Sequence, residues 1–323
     1  MKAAQINKFG NSSVIELVDI EKPKAGKGQV LVKVYASSVN PFDIKLSQGA
    51  MPDLPLPMVL GGDIAGVVTE IGEGVENFSV GNKVYGSANA LSGASGAFAE
   101  FAAVPVGTIA KMPKNLDFKM SAAVVLTGVS AVQAITEHFK LQSNQKILIH
   151  GGAGGIGTIA IQIAKSIGAY VATTATGDGV EYVKRLGADE VIDYADSKAI
   201  EHPRQSRDKT QDFSEILSDY DCVFDTVGGE VYKKSFKVLK KGGMIVSMLD
   251  KDEKLAQEYG VTAIGQMTKV NAENLDKLTY FIEEKDIIVH IDKIYDFDKI
   301  REAFEDKETS DVIGKIVIEI QSS

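Results

Sequence analysis

Seven residues near the middle of the chain, Gly151-Gly152-Ala153-Gly154-Gly155-Ile156-Gly157, stand between an apolar run, Lys146-Ile-Leu-Ile-His150, and the periodic stretch TIAIQIAKSIGA. Gly152, Gly154 and Gly157 fit G-x-G-x-x-G. The context that gives this pattern meaning is present: a strand pattern before it, a helical pattern after it, and a second strand, AYVATT, close behind. The chemistry implied is anion binding. Without side chains the backbone can turn sharply and approach a pyrophosphate, and its N–H groups and the positive end of the helix dipole can hold the charge. Ile156, Ile159, Ala160, Ile163, Ala164 and Ile167 recur at helical spacing, so one face of the helix can lie on a sheet. A glycine turn that merely packs a helix close to a strand is the alternative, and the flanking pattern favours dinucleotide binding.

The end of the second strand bears on which dinucleotide. An NAD enzyme usually offers an acid to the adenosine ribose there, whereas this chain offers Thr173, Thr174, Ala175 and Thr176. Hydroxyls would accept a 2′-phosphate without charge repulsion, and Lys184 and Arg185 follow on the next helix. Asp178, about twenty residues after Gly157, argues the other way but comes after the strand has ended. NADP(H) is expected over NAD(H).

The elements that must position this turn follow from length and pattern. At 323 residues the chain suits two domains. Residues 1–121 read as β-rich, with β-branched runs Val30 to Val34 and Ile64 to Ile71 separated by the proline-rich MPDLPLP. After Ser121 long apolar helical stretches such as AAVVLTGVSAVQAITEHF alternate with short buried strands. These are KILIH, AYVATT, Glu190 to Ile192, Cys222 to Asp225 and Met244 to Met248. The fold class is therefore α/β, with a Rossmann doubly wound parallel sheet over 122–270. Residues 271–323 hold two amphipathic helices and a closing strand, GKIVIEI, which has no partner of its own. It is expected to pair with the first domain and make that domain discontinuous, 1–121 completed by 271–323. The polar EHPRQSRDKTQDF reads as an exposed loop or helix start outside the core.

Composition narrows the function classes. With 44% hydrophobic and 24% charged residues the chain is an ordinary globular protein. A net charge of −9 with scattered cations offers no basic stripe for nucleic acid. No run approaches the roughly 20 apolar residues that span a bilayer, so no membrane role is expected, and MKAAQINKFG carries no signal-peptide core. Cys222 is the only cysteine, which excludes an intrachain disulfide or a cysteine-based zinc cluster and fits the cytoplasm. His138, His150, His202 and His290 are too widely spaced to make another metal site and read as surface or strand-end residues.

The stretches VLVKVYASSVNPFDIK, GGDIAGVVTEIGEGV, VGNKVYG, LTGVSAVQAI, GGAGGIG, KRLGADEVIDY, DTVGG, LKKGGMIVSM and GKIVI run the length of the chain. In that order the sequence resembles the medium-chain dehydrogenase/reductase superfamily, and within it the zinc-independent quinone oxidoreductase group. The resemblance implies a GroES-like catalytic domain joined to the Rossmann domain with the active site between them, and a homodimer. Zinc-dependent members carry a cysteine where this chain has Asn40 and a histidine within Gly61-Gly62-Asp63, so no metal is expected. It further implies that Asn40, Asp43 and Asp63 border the active site, with Lys45 and Tyr85 available to orient a substrate or supply a proton. Some members place a tyrosine at the position of Lys45. On the residues alone, Asn40 is equally a turn residue before Pro41, and Asp63 a loop tie. For the cofactor, the resemblance adds Thr127 and Tyr194 and aligns Gly179 with a lysine common in the family, and Val227 and Gly228 lie at the end of a sheet strand, where open α/β sheets bind their ligands. Lys315 reads as a solvated surface charge.

The function implied is NADPH-dependent hydride transfer to a small quinone or α,β-unsaturated carbonyl, acceptors that delocalise the incoming charge without a Lewis acid. An enoyl-thioester reductase and a non-catalytic NADPH-binding or RNA-binding protein are the alternatives.

Overall fold

The β-branched run Gln29–Val39 forms the longest strand among the described residues, and the sheet built around it draws strands from both ends of the chain. The computed structural model describes residues 1–194 and 212–322, so most of the polar segment 201–213 lies outside the described residues. Of that segment, Asp212 caps a short helix, Phe213–Ile216, and Phe213 is buried. The expectation that it stays out of the core is therefore corrected at Phe213.

Two compact units are formed, one of Met1–Val129 with Val270–Ser323, the other of Ser130–Lys269. The division falls inside the helix Phe118–Val132 rather than at 121/122. In the first unit, Gln29–Val39 pairs antiparallel with Asp63–Ile71, with Phe101–Pro105 and with the closing strand Lys315–Glu319. That closing strand also has a parallel partner that the pattern did not reveal, Ile291–Asp296, whose alternation is blurred by charged residues. Val32, Val34, Ile64, Phe98, Phe304, Ile316 and Ile318 are among the buried side chains of the core, and the Phe98 and Phe304 rings meet edge to face at 5.8 Å.

In the second unit, six parallel strands lie in the order Glu190–Asp193, Tyr170–Ala175, Lys146–Ile149, Tyr220–Asp225, Leu239–Ser247 and Thr262–Gly265. Numbered along the chain this is 3-2-1-4-5-6, the dinucleotide-binding order, in which the strand order reverses beside the first strand. Lys146–Ile149 is that first strand, and the glycine turn leaves its carboxyl end.

The stretch Phe118–His138 departs from expectation. It is helical over 21 residues, long and apolar enough by length and composition to cross a membrane. Most of its apolar stretch is buried inside the protein, as in a core helix. Its last six residues, Gln133–His138, widen into a π-helix.

Candidate functional site

The glycine turn is held from beneath and open above. Gly151 adopts φ +68°, and a Cβ there would meet Thr226 Oγ1 at 2.7 Å. A Cβ on Gly152 would fall 2.0 Å from Thr173 Oγ1, and one on Gly157 2.3 Å from the Gly151 carbonyl oxygen. These two glycines are required by the fold itself. At Gly154, where the helix Gly155–Ile167 begins, a Cβ would touch the Gly151 oxygen at 3.3 Å, a close contact, and would meet no side chain of the described residues within 4 Å. Its first amides have no partner within the helix. Ala153, Gly155 and Ile156 are half-buried around this opening. The arrangement fits the pyrophosphate of a dinucleotide: amide donors, a helix dipole and no side chain in the way.

Beside it, the strand Tyr220–Asp225 ends in a second loop. Asp225 is buried and its Oδ1 accepts the N–H groups of Val227 and Gly228, each at 3.0 Å, while its Oδ2 accepts Ser247 Oγ at 2.6 Å. Val227 is thereby held 44% exposed and Gly228 at φ +79°. Tyr194, 36% exposed, follows the strand that pairs with the end of Tyr170–Ala175.

The threonines divide. Thr174 was expected at the adenosine phosphate, but it is 5% exposed and its hydroxyl receives the Gly151 N–H at 3.1 Å. The strand is buried on both faces, so neither Thr174 nor Thr173 reaches the surface, and the expectation is corrected. Thr173 is also buried, donating to the Ile149 carbonyl. Thr176, beyond the strand, is half-buried, and Asp178 is exposed in the first turn of the helix Asp178–Arg185. On that helix Lys184 pairs with Glu181 at 2.6 Å and Arg185 lies 5.6 Å over the Tyr182 ring. Gly179 has a packing reason to lack a side chain: a Cβ there would fall 2.7 Å from that of Ala153.

In the first unit the other candidates converge on a buried charge cluster. Asp63 Oδ2 accepts Ser38 Oγ and Asn40 Nδ2, both at 2.7 Å, and lies 3.8 Å from Lys315 Nζ. Lys315 donates to the Val39 carbonyl at 3.0 Å and to Asn40 Oδ1 at 2.5 Å. Asp43 Oδ2 accepts the Asn40 N–H at 2.8 Å, closing the start of the helix Pro41–Ser47. Asn40, Asp43, Asp63 and Lys315 are at most 4% exposed. Burial, with the charge of Asp63, pushes the Asp43 carboxyl up to about 7. Burial also raises Asp63, against the pull of Lys315, and lowers Lys315, against the pull of Asp63 and Asp43.

Three corrections follow. Lys315 is a buried partner and not a solvated surface charge. Asn40 has one amide hydrogen and its oxygen engaged within the cluster, so it acts first as the bridge between Lys315 and Asp63. Tyr85 is fully buried, donating to the Leu275 carbonyl at 2.7 Å with Thr279 Oγ1 at 2.8 Å, and burial raises its phenol. It is a core residue without access to a substrate. Lys45 is exposed on its helix, and Thr127 is buried, its hydroxyl bonded to the Ala123 carbonyl one turn back. Among the described residues no three His, Cys, Asp or Glu side chains are grouped as metal ligands. Of the two readings given for the histidines, surface or strand end, His150 takes the second: it directly follows the strand Lys146–Ile149 and is fully buried.

Comparison with known proteins agrees with this construction. Residues 26–114 match the profile described as an alcohol dehydrogenase GroES-like domain, and residues 186–318 the one described as zinc-binding dehydrogenase. The chain is 34% identical to a 2-methylene-furan-3-one reductase of Solanum lycopersicum over 98% of its own length and 79% of that protein's. It is 33% identical to an NADPH-dependent alkenal/one oxidoreductase of Arabidopsis thaliana, with the same coverage, 98% and 79%. Against the quinone oxidoreductase of Coxiella burnetii the identity is 32% and the TM-score 0.88, covering 99% of each chain. A mycobacterial structure complexed with NADPH superposes with TM-score 0.86 at 26% identity, over 99% of this chain and 100% of that one. The chain belongs to the medium-chain dehydrogenase/reductase superfamily, in its zinc-independent quinone oxidoreductase group.

Proposed function

We propose that this protein is an NADPH-dependent oxidoreductase that reduces a quinone or an α,β-unsaturated carbonyl without a metal. The observation that carries the reading is the turn Gly151–Gly157 on the carboxyl side of the first parallel strand, where the helix Gly155–Ile167 begins and a Cβ at Gly154 would meet no side chain within 4 Å. The relatives named as alkenal/one and quinone oxidoreductases support the acceptor class. Gly152 to Gly157 would hold the pyrophosphate, Val227 and Gly228 would border the nicotinamide end, and Thr176 and Tyr194 the adenosine end. When bound, the nicotinamide supplies the hydride. Asn40 and Gly62 stand where zinc-dependent members carry ligands, so polarising the acceptor is left to hydrogen bonds and position, which suits acceptors that spread the incoming charge. The absence of an acid within the end of the strand Tyr170–Ala175 supports NADPH over NADH. A homodimer acting in the cytoplasm completes the proposal, supported by the habit of the family and the lone cysteine.

Titration with NADPH and NADH, followed by oxidation with 1,4-benzoquinone, 9,10-phenanthrenequinone and a short enone, tests it. Selective NADPH binding with turnover of one acceptor class is the expected result. Tight binding with no turnover of any acceptor would overturn the catalytic reading.

A further inference from the structure

Beneath the glycine turn lies a hydrogen-bond chain whose direction can be settled by counting protons. Ser235 Oγ donates to the Val231 carbonyl one turn back, at 2.7 Å, which commits its only hydrogen. The contact between Ser235 Oγ and His150 Nε2, 2.9 Å, must then be donated by the ring. A neutral imidazole with its hydrogen on Nε2 has a bare Nδ1. The Thr174 hydroxyl lies 3.3 Å from that nitrogen and at the same time receives the Gly151 N–H at 3.1 Å. Gly151 N–H to Thr174 Oγ, Thr174 O–H to His150 Nδ1, His150 Nε2–H to Ser235 Oγ and Ser235 O–H to the Val231 carbonyl satisfies every group once.

The opposite tautomer fails the count. The Thr174 oxygen could accept from both Nδ1 and Gly151, but its own hydrogen would then have no acceptor in the chain of contacts, and the bare Nε2 would face a Ser235 hydroxyl whose hydrogen is already given to Val231, at a site where an unmade bond is costly. His150 and Ser235 are fully buried, and the Phe213 ring, 4.5 Å between centroids, packs against the imidazole. The backbone is tied at the same place: the Gly152 N–H reaches the Thr174 carbonyl at 2.9 Å, and Thr226 Oγ1 donates to the His150 carbonyl at 2.8 Å.

We propose that His150 is a positioning residue for the dinucleotide turn: as a neutral Nε2–H ring it orients the Thr174 hydroxyl to receive the Gly151 amide, fixing the turn in its pyrophosphate-binding shape. The inference rests on the dinucleotide reading above. It gives Thr174 a task distinct from contact with the adenosine phosphate. Burial, which disfavours a charged ring and lowers His150 to about 4 against the pull of Asp225, keeps the ring neutral at physiological pH.

Two measurements test it. Long-range proton–nitrogen correlation on the histidine-labelled protein at pH 7 should show His150 with a protonated Nε2 and a bare Nδ1. An Nδ1–H tautomer or an imidazolium would overturn the proposal, and this readout needs no variant to fold. In NADPH titrations Thr174→Val should weaken binding about tenfold and Thr174→Ser, which keeps the hydroxyl, less than about twofold. His150→Phe should also weaken binding, and adding it to Thr174→Val should cost little more, because one chain is being cut twice. Wild-type affinity in Thr174→Val would overturn the relay. A wild-type protein that binds neither NADPH nor NADH would instead overturn the dinucleotide reading itself, whatever the tautomer.

Discussion

Lys315 and Asp63 face each other at 3.8 Å in a site that leaves neither more than 5% exposed, and the Asn40 side chain joins them, accepting from the ammonium and donating to the carboxylate. Two like-charged carboxyls, Asp43 and Asp63, thus share one buried cation. Such a cluster is stable only while each member has its partners.

Removing the cation should therefore be costly. Lys315→Met is expected to lower stability by about 3–5 kcal/mol, because it leaves Asp63 buried and unpaired. Adding Asp63→Asn should recover most of that loss. Denaturant unfolding of the two single variants and the double variant measures the coupling, and additive losses would refute it.

The second acid gives a pH dependence. Asp43 titrates near 7 in the folded protein, above its usual 3.8, so between those values the folded state binds more protons than the unfolded one. Stability from this group is then present at low pH and lost as pH rises through about 7. Asp43→Asn keeps an acceptor for the Asn40 N–H and cannot ionise. Its stability relative to wild type should improve by a few kcal/mol between pH 4 and pH 8. A constant difference across that range would show that Asp43 is ionised throughout.

The glycines of the turn should separate folding from binding. Gly154→Val meets no protein atom closer than 3.3 Å at its Cβ. It should keep the melting temperature within about 2 °C while abolishing NADPH binding. Gly157→Val, whose Cβ would press on the Gly151 oxygen, should fail to fold well. Undiminished NADPH affinity in Gly154→Val would contradict the site.

These glycines were readable in the sequence because strand, turn and helix are contiguous, although the atoms that forbid a side chain at Gly151 and Gly152, on Thr226 and Thr173, come from other strands. The charge cluster was not, because nothing near Lys315 announces that its strand will pair beside Val39, bringing the ammonium against residues from 40 to 63. Thr174 and Tyr85 show a finer limit. Their strands were recognisable, but which face each side chain takes depends on the sheet and on elements packed over it, such as the helix carrying Leu275 and Thr279. The helix Phe118–His138 was underestimated in apolar length because threonine, serine and glycine interrupt its run.

Tyr85 offers a control on the catalytic assignments. Tyr85→Phe removes a buried hydroxyl bonded to Leu275 and Thr279 and should cost about 1–3 kcal/mol of stability. The kcat for quinone or enone should be unchanged. A large fall in kcat with normal stability would restore Tyr85 as a proton donor.

Chelation should be without effect. Among the described residues no three His, Cys, Asp or Glu side chains are grouped to hold a metal ion. Activity lost with EDTA and regained with zinc would show a metal site formed in another way.

The closing strand also orders events during synthesis. Asp63 leaves the ribosome long before Lys315, and at roughly 5–20 residues per second the interval is on the order of 10–50 seconds. Until then the carboxylate has no cation to be buried with, and the long strand Gln29–Val39 lacks a neighbour. The inserted unit, Ser130–Lys269, has all six of its strands in hand well before that. The nascent chain should thus finish its second-emerging unit first, leaving the opening β-rich segment as the stretch most in need of protection while it waits for its end.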